Sequence, residues 1–548
     1  MKPTKQMFDD ARALHAGRVE AYRRGEIGDS AFRPIRLSYG LYYQLDHTSY
    51  MQRIKLPGGF MTAEQMDVLA GITDDYGRGI THATTRQDFQ IHWVPLEKVA
   101  DMYGRLEAVG VTTRGACADT VRNVTACPFA GVSPDEAFDV TPHMLAIHDY
   151  FLFNPLNLTL PRKFKIAVEG CPIDCAQATI NDIGLYARVE NGRRGFSVWA
   201  GGGLGAAPFL AVKVLDFVPE EDVLIACEAI VRIQHRCGER KNRHKARLKF
   251  VVKKLGAAKI QEMVVAEIAA VERERGDALR ADIREAVATF RLPEPTGPTD
   301  PVEAKPGFAD WKRTNAMAQS QPGYYAASVT LPLGDMTADQ LRAVSNLTRE
   351  LGNGTARLTN EQNVVLPFVH ETALTRLHAA LVALELAEAR ASLLTDIVSC
   401  PGLDFCSLAV TRSMGVGDRI RSHLASASVD SEDLGPFHVK ISGCPNSCGQ
   451  HHIGDIGLTG MMVKDDAGIE RPHYSVLVGG GVGEGRTRIG KRLYGRFPES
   501  ETPKAIVALA NHYRANRKPG ERFGEFIDRV GRDSLDQVAQ QAIDSAVR

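Results

Sequence analysis

The chain has 548 residues, enough for two to four ordinary domains, each with its own core. Lys plus Arg number 66 and Asp plus Glu also 66, which excludes an overall electrostatic bias towards nucleic acid or anionic membrane, so any cationic site must be local. With 44% hydrophobic and 24% charged residues the composition excludes disordered, collagen-like and coiled-coil classes, and no apolar run reaches the length of about eighteen residues that a membrane span needs.

The opening segment lacks an apolar stretch and carries acidic residues, unlike a signal or transit peptide, so the expected compartment is the cytosol. Residues 50–56 alternate as a strand does, 62–76 carry a helical pattern, 80–93 are strand-like again and 96–109 helical, which together predict an α+β unit. Further strand signals follow at 163–168 and 196–200. An Ala-, Lys- and Glu-rich helical stretch at 246–273 closes the first half. Residues 292–301 hold four prolines and a glycine, which forbid regular structure and mark a connector, with the boundary near residue 295.

Beyond the connector the chain repeats itself. LPGGFMTAEQM from Leu56 returns as LPLGDMTADQL from Leu331, an offset of 275, and Thr85-Arg-Gln matches Thr359-Asn-Glu at 274. Cys127-Pro matches Cys400-Pro at 273, as do the clip of Cys171 and Cys175 with that of Cys444 and Cys448, and Asp182-Ile-Gly-Leu with Asp455-Ile-Gly-Leu. Gly201-Gly-Gly matches Gly479-Gly-Gly at 278. A nearly constant offset over six blocks means two homologous halves.

Ten cysteines are too few for a disulfide framework in so long a chain, and six fall in short pairings suited to metal or redox work. The second half offers Cys400, Cys406, Cys444 and Cys448 in two clips. Zinc clips usually have two to four residues between ligands, and five between Cys400 and Cys406 is outside that habit; thiolates also suit a 4Fe-4S cluster, the favoured reading. Buried inert cysteines are the bland alternative. The first half keeps Cys127, Cys171 and Cys175, but the partner of Cys406 is Ser133, a poor substitute for thiolate, so a degenerate copy is expected there rather than a second cluster.

Cys-x5-Cys followed by GCPNSCG resembles the cluster motif of sirohaem-containing assimilatory sulfite and nitrite reductases. The segments around Arg53, Arg86, Arg122 and Lys163 follow in that family's order, and the resemblance runs from about residue 35 to 530. It implies two homologous halves, each a ferredoxin-like lobe plus a sirohaem-binding α/β domain. The expected division is 1–110, 111–290, a linker at 291–308, then 309–385 and 386–548. It implies that Cys400, Cys406, Cys444 and Cys448 hold the 4Fe-4S cluster and that Cys448 also bridges to the sirohaem iron. Arg53, Arg122, Lys163 and Lys165 are the implied substrate-binding cations, and Arg86 is implied to contact sirohaem carboxylates. Gly201, Gly202 and Gly203 could offer backbone N–H groups to the same carboxylates, although glycine runs more often mark turns.

The chemistry of the residues agrees. Arg stays charged and binds oxyanions bidentately, while Lys among other cations has a lowered pKa and can donate a proton. Lys163 and Lys165, two apart in an extended segment, leave the same face, although a basic pair is often only a solvated surface. The resemblance also raises a thioether between Tyr42 and Cys117, found in some sulfite-reducing relatives; the plain alternative is a buried Tyr and a free Cys. Sulfite reduction to sulfide is the leading expectation, nitrite reduction to ammonia the runner-up, and a non-catalytic cysteine-held zinc or Fe-S scaffold the reading from another class. No flavin or nicotinamide domain is suggested, so electrons are expected from a ferredoxin or a separate flavoprotein. Arg188, Arg193, Arg194 and the basic run 236–247 are candidate docking residues.

Overall fold

The computed structural model describes residues 3–427, 429 and 431–544, so the outer ends of the first and last expected domains, 1–2 and 545–548, lie outside the described residues. The expected elements form, with adjustments that have local causes. The 62–76 pattern becomes the helix Ala63–Tyr76. Thr62 caps it, accepting from Gln65 N while the Gln65 side chain accepts from Thr62 N, a reciprocal box that satisfies two otherwise orphaned donors. The repeat builds the same device at Thr337 and Gln340, before Ala338–Leu351. The 80–93 stretch splits into strands Ile80–Ala83 and Phe89–Val94 around a tight turn at 84–88. The 246–273 helix breaks at Gly256 into Leu248–Leu255 and Ala257–Thr289. Residues 290–305 have neither helix nor strand, as the prolines require.

That turn also corrects the internal alignment. Thr84 N bonds to Asp88 O and Thr359 N to Asn363 O, so the turns superpose at an offset of 275, not 274. The counterpart of Gln87 is therefore Gln362, and that of Arg86 is Glu361.

The described residues form four five-stranded sheets, two of one kind and two of another. In the lobes of the first kind the halves exchange an edge strand. Phe60–Thr62 of the first half pairs with Thr355–Leu358 of the second, and Asp335–Thr337 of the second pairs with Ile80–Ala83 of the first. Gln87 Nε2 donates to Leu358 O (2.9 Å) and Gln362 Nε2 to Ala83 O (2.8 Å), so the exchange is fastened from both sides. One apolar core accordingly draws on both halves, from Leu41, Met66 and Ile91 to Trp311, Leu341 and Leu366.

The other two sheets each have a separate core. In the first, the parallel strands Thr125–Ala126, Ile166–Glu169 and Ile183–Glu190 are extended by antiparallel Arg193–Ala200 and Val212–Pro219. In the second, Val398–Ser399, Val439–Ser442 and Ile456–Lys464 are extended by Glu470–Val478 and Lys491–Pro498. The cysteine clips follow the short parallel strands, so both lie at strand ends.

Gly59 sits where the exchanged strand begins, at φ +69°, and a Cβ there would stand 2.4 Å from Leu358 O. Gly59→Ala is expected to destabilise the chain by about 1–2 kcal/mol for the left-handed backbone alone, and further for the contact. A urea midpoint equal to that of the parent would show that the exchanged strands carry no stability.

Candidate active site

A cavity of about 610 Å³ opens where the two halves meet. The first half contributes Arg53 from the strand Tyr50–Ile54, Arg86 and Asp88 from the 84–88 turn, Arg122, and Lys163 and Lys165 from the approach to the strand Ile166–Glu169. The second half contributes Cys400, Asn446, Ser447 and Cys448. Thr85 Oγ1 donates to Cys448 O (2.8 Å) and Gln450 Nε2 to Thr85 O (3.4 Å), so the cysteine loop is hung directly on the Arg86 turn. The regular strand begins only at Ile166, but Phe164 is already bridged to Val121 and fully buried. That bridge keeps the segment extended and sends Lys163 and Lys165 together into the cavity.

The lining is strongly cationic. Besides the five residues expected from the sequence it includes Arg162, Arg243, Lys245, Arg247 and Lys249, with Asp88 the only carboxylate among the described residues that line it. Arg53 Nη1 reaches Asp88 at 3.4 Å, and burial nevertheless pushes the Asp88 carboxyl up to about 6. Burial, reinforced by Arg122, lowers Lys163 to about 7, and burial with Arg86 beside it lowers Lys165 well below its ordinary value. Neither ammonium is paired with a carboxylate among the described residues. Arg122 is steadied by its own loop, donating to Ala116 O (3.2 Å) and Ala118 O (2.6 Å). Arg86 donates to Asn181 Oδ1 (2.7 Å), Thr125 Oγ1 (3.3 Å) and Ile166 O (2.9 Å), leaving Nε buried without a partner.

A cavity so charged in a chain of zero net charge fits a polyanionic occupant, as the many carboxylates of sirohaem require. The orphaned Nε atoms of Arg53, Arg86 and Arg247 are donors that such an occupant would satisfy.

The cluster residues also converge. Cys400 and Cys448 share the cavity wall, and Gly443 N donates to Cys400 Sγ (3.2 Å), a bond that stabilises sulfur charge. Burial raises the thiols of Cys400, to about 12, and of Cys406 and Cys444, so bound iron rather than the protein field would hold them as thiolates. Among the described residues no three of these four sulfurs lie within 4.8 Å of one another.

Two expectations need correction. Gly201 N and Gly203 N are already used, donating to Asp182 O (2.9 Å) and Phe209 O (2.8 Å), so neither is available to a cofactor carboxylate; the cavity wall is the following segment, 204–207. The glycines serve close packing instead: a Cβ on Gly202 would meet Thr179 O at 2.2 Å, and one on Gly203 would meet Arg247 Nη1 at 2.5 Å. The basic run 236–247 is exposed through Lys245, as a docking patch would be, but Arg243 and Lys245 also rim the cavity and Arg247 is buried in its wall. Arg188 pairs with Glu484, and Arg193 with Glu221 at 3.6 Å.

The sequence reasoning missed Arg162, Lys249 and Asp182, and gave Arg243, Lys245 and Arg247 to donor docking rather than to the cavity. Asp182 Oδ2 accepts from Arg247 Nη2 (2.6 Å) and Lys165 N (2.9 Å), setting both cations, and its place in the repeated Asp-Ile-Gly-Leu block was the available signal. Lys249 Nζ donates to Leu204 O (2.9 Å) and Ala207 O, fixing the wall. Arg162 and Arg243 share Asp119 at 3.0 and 2.6 Å. Tyr42 and Cys117 are neighbours, for burial and then the adjacent Cys117 push the Tyr42 phenol up to about 12.

The description "Nitrite and sulphite reductase 4Fe-4S domain" matches residues 117–271 and 391–545, and "Nitrite/Sulfite reductase ferredoxin-like half domain" matches 42–109 and 317–384. The chain is 30% identical over 508 residues, 90% of its length and 84% of the relative, to the assimilatory ferredoxin-dependent nitrite reductase of Haloferax mediterranei. It is 29% identical over 530 residues, 95% of its length and 88% of the relative, to sulfite reductase [ferredoxin] 2 of Mycolicibacterium paratuberculosis. The solved structure of Mycobacterium tuberculosis NirA superposes with a TM-score of 0.79 at 28% identity, covering 94% of this chain and 95% of that one. Fold and site define a duplicated α+β oxidoreductase. The chain belongs to the nitrite and sulphite reductase family, whose cofactors are a sirohaem and a 4Fe-4S cluster. No helix among the described residues is long and apolar enough to cross a membrane.

The buried lysines give the cofactor-free chain a distinctive pH dependence. Burial lowers Lys55 and Lys163 to about 7 and Lys249 to about 8, from an ordinary 10.5. Above about pH 7 the unfolded chain therefore binds more protons than the native one, and stability rises with pH. Cofactor carboxylates in the cavity would raise Lys163 and Lys249, which line it, and flatten the slope. The urea midpoint of cofactor-free protein is expected to increase between about pH 7 and 8.5, and that of loaded protein to change less. Equal slopes would contradict this electrostatic account.

Proposed function

We propose that the chain reduces sulfite to sulfide, taking six electrons from a ferredoxin one at a time. When bound, the coupled cluster and sirohaem supply those electrons and the iron on which the anion is held. The observation that carries the reading is the convergence of Arg53, Arg122, Lys163 and Lys165 of the first half with Cys448 of the second on one cavity. In this reading Arg53 and Arg122 hold the oxyanion, and the donors fixed on Ala116 O and Ala118 O keep Arg122 from swinging out to solvent. Lys163 holds a proton at Nζ, poised by burial to release it near neutral pH as oxygen leaves as water, and Lys165 beside it is lowered in the same direction by burial and by Arg86. Arg86, together with Arg247 and Lys249, would hold the sirohaem carboxylates, and Cys400, Cys406, Cys444 and Cys448 would hold the cluster.

Sulfite is preferred over nitrite because Tyr42 and Cys117 adjoin each other beside Arg53 and Arg122, where a thioether would fit. Nitrite reduction is the second reading, favoured by the name of the Haloferax relative. The ferredoxin donor follows the names of both relatives, a flavoprotein being the alternative. A cytosolic compartment and the five-part division of the chain given above belong to the same reading, the latter supported by the four sheets and by the separate cores of the two cysteine-bearing domains.

Steady-state turnover with reduced ferredoxin is expected to give a higher kcat/KM on sulfite than on nitrite, and intact mass a loss of two hydrogens that Cys117→Ala abolishes. A higher kcat/KM on nitrite with an unmodified mass would overturn the sulfite assignment. Lys163→Gln is expected to lower kcat by about 10²- to 10⁴-fold with a smaller change in KM. The donor must be protonated, so the parent's rate should fall as pH rises through the pKa of Lys163 and the variant should lose that limb. A variant with the parent's kcat and pH profile would remove Lys163 from proton delivery.

A further inference from the structure

The cysteines left over in the first half form a site of their own. The Sγ atoms of Cys127, Cys171 and Cys175 all lie within 4.8 Å of one another, and no other group of His, Cys, Asp or Glu among the described residues is gathered so tightly. The backbone holds them there. Cys127 follows the strand Thr125–Ala126, its N–H bonded to Val168 O (3.2 Å), while Cys171 and Cys175 lie on the loop after Ile166–Glu169. The fully buried Glu169 organises that loop. Its Oε1 accepts from Gly170 N (2.9 Å), Cys171 N (3.1 Å) and Cys171 Sγ (3.4 Å), and its Oε2 from Ala176 N (2.6 Å). Cys127 and Cys171 are buried and Cys175 is half-buried, which leaves one side open to an entering ion.

We propose that Cys127, Cys171 and Cys175 bind a single thiophilic divalent cation, zinc, as a structural site separate from the Fe-S cluster. Thiolates on one zinc at about 2.3 Å stand about 3.8–4.0 Å apart, so the three sulfurs need only small shifts to close on it. A cubane places its thiolates on separate irons and spreads them more widely than this triad allows. It also lacks a fourth thiolate here: Ser133 stands in the place of Cys406, and its hydroxyl accepts from Asp135 N (3.3 Å) in a local turn. Binding transfers three thiol protons to water and forms three Zn–S bonds, with nothing oxidised or reduced. Water completes the tetrahedron on the Cys175 side.

Charge selects zinc over copper(I). Three thiolates leave one net negative charge on zinc and two on copper(I), in surroundings that already include Glu136 and Glu169. The nearby compensation is Arg357, buried with Nη1 unpartnered and close enough to Cys127 to feel its charge.

The location argues for a structural role. The cations Arg53, Arg122, Lys163 and Lys165 have as repeat counterparts Ser328, Thr395, Pro436 and His438, so the triad does not look onto a second oxyanion pocket. Its loop is instead docked on the other half: Glu484 N donates to Pro172 O (3.2 Å), Thr487 Oγ1 to Asp174 Oδ2 (3.4 Å) and Gln177 Nε2 to Glu361 Oε1 (3.0 Å). A metal at the triad would stiffen this contact between the halves.

The test is metal analysis of reduced holoenzyme, desalted after incubation with equimolar zinc, with Cys171→Ser and Cys175→Ser run alongside. The expected result is about one zinc per chain beyond the iron, falling below about a tenth in either variant while the iron count stays constant. Cobalt in place of zinc should give thiolate-to-metal charge transfer in the parent enzyme, a readout that survives if a variant fails to fold. Parent enzyme with less than about a tenth of a zinc, full zinc retained by Cys175→Ser, or iron that rises to eight or nine and drops in Cys175→Ser would each overturn the proposal. Iron and zinc are counted separately, so failure here leaves the reductase reading untouched.

Discussion

Everything at the site depends on the reciprocal exchange of two short edge strands between the halves. A three-residue strand contributes little by itself, yet Phe60–Thr62 and Asp335–Thr337 each complete the other half's sheet and bury one continuous core between them. The 84–88 turn is thereby pressed against the cysteine loop, with Thr85 bonded to Cys448 O. Neither half alone has both walls of the cavity. The coupling of cations to thiols is a property of the duplicated chain as a whole.

Duplication would yield two such cavities, and divergence has spent only one of them on chemistry. Where the first half places Arg86, the second places Glu361, and Lys440 Nζ closes on its Oε2 at 2.5 Å with Gln177 bonded to Oε1 (3.0 Å). An ion pair with Lys440 buried and Glu361 partly exposed, supported by a further hydrogen bond, thus stands in the second half where the first half places Arg86. The active pocket does the reverse: it leaves two lysines without carboxylate partners at a real electrostatic cost, which a polyanionic cofactor and an anionic substrate offset. Instability of the empty pocket and affinity for anions are one physical fact.

Much of this was legible in the sequence because it is local or repeated. The helix starting after Thr62 has a capping box, the connector has its prolines, and the four second-half cysteines have a spacing that few other purposes explain. Less legible were features that depend on partners distant in the chain. The one-residue alignment shift at Gln87 shows only when Gln87 and Gln362 are seen to bond across the halves, and the strand exchange has no sequence signature at all. Gly201 to Gly203 read as donors because glycine exposes its N–H, whereas packing against Val252, Thr179 and Arg247 in turn is what requires them. The run from Arg236 to Arg247 read as surface, which holds through Lys245; charge patterns alone could not show that its last member, Arg247, is buried in the pocket wall.

The central claim is one coupled centre built from the cations of one half and the thiolates of the other. Absorption, total iron and acid-labile sulfide measured on the same sample, from cells able to make sirohaem, test it most directly. The account predicts a haem-type spectrum with a Soret band and about five irons per chain, one cluster plus one sirohaem. A colourless protein without iron would contradict it.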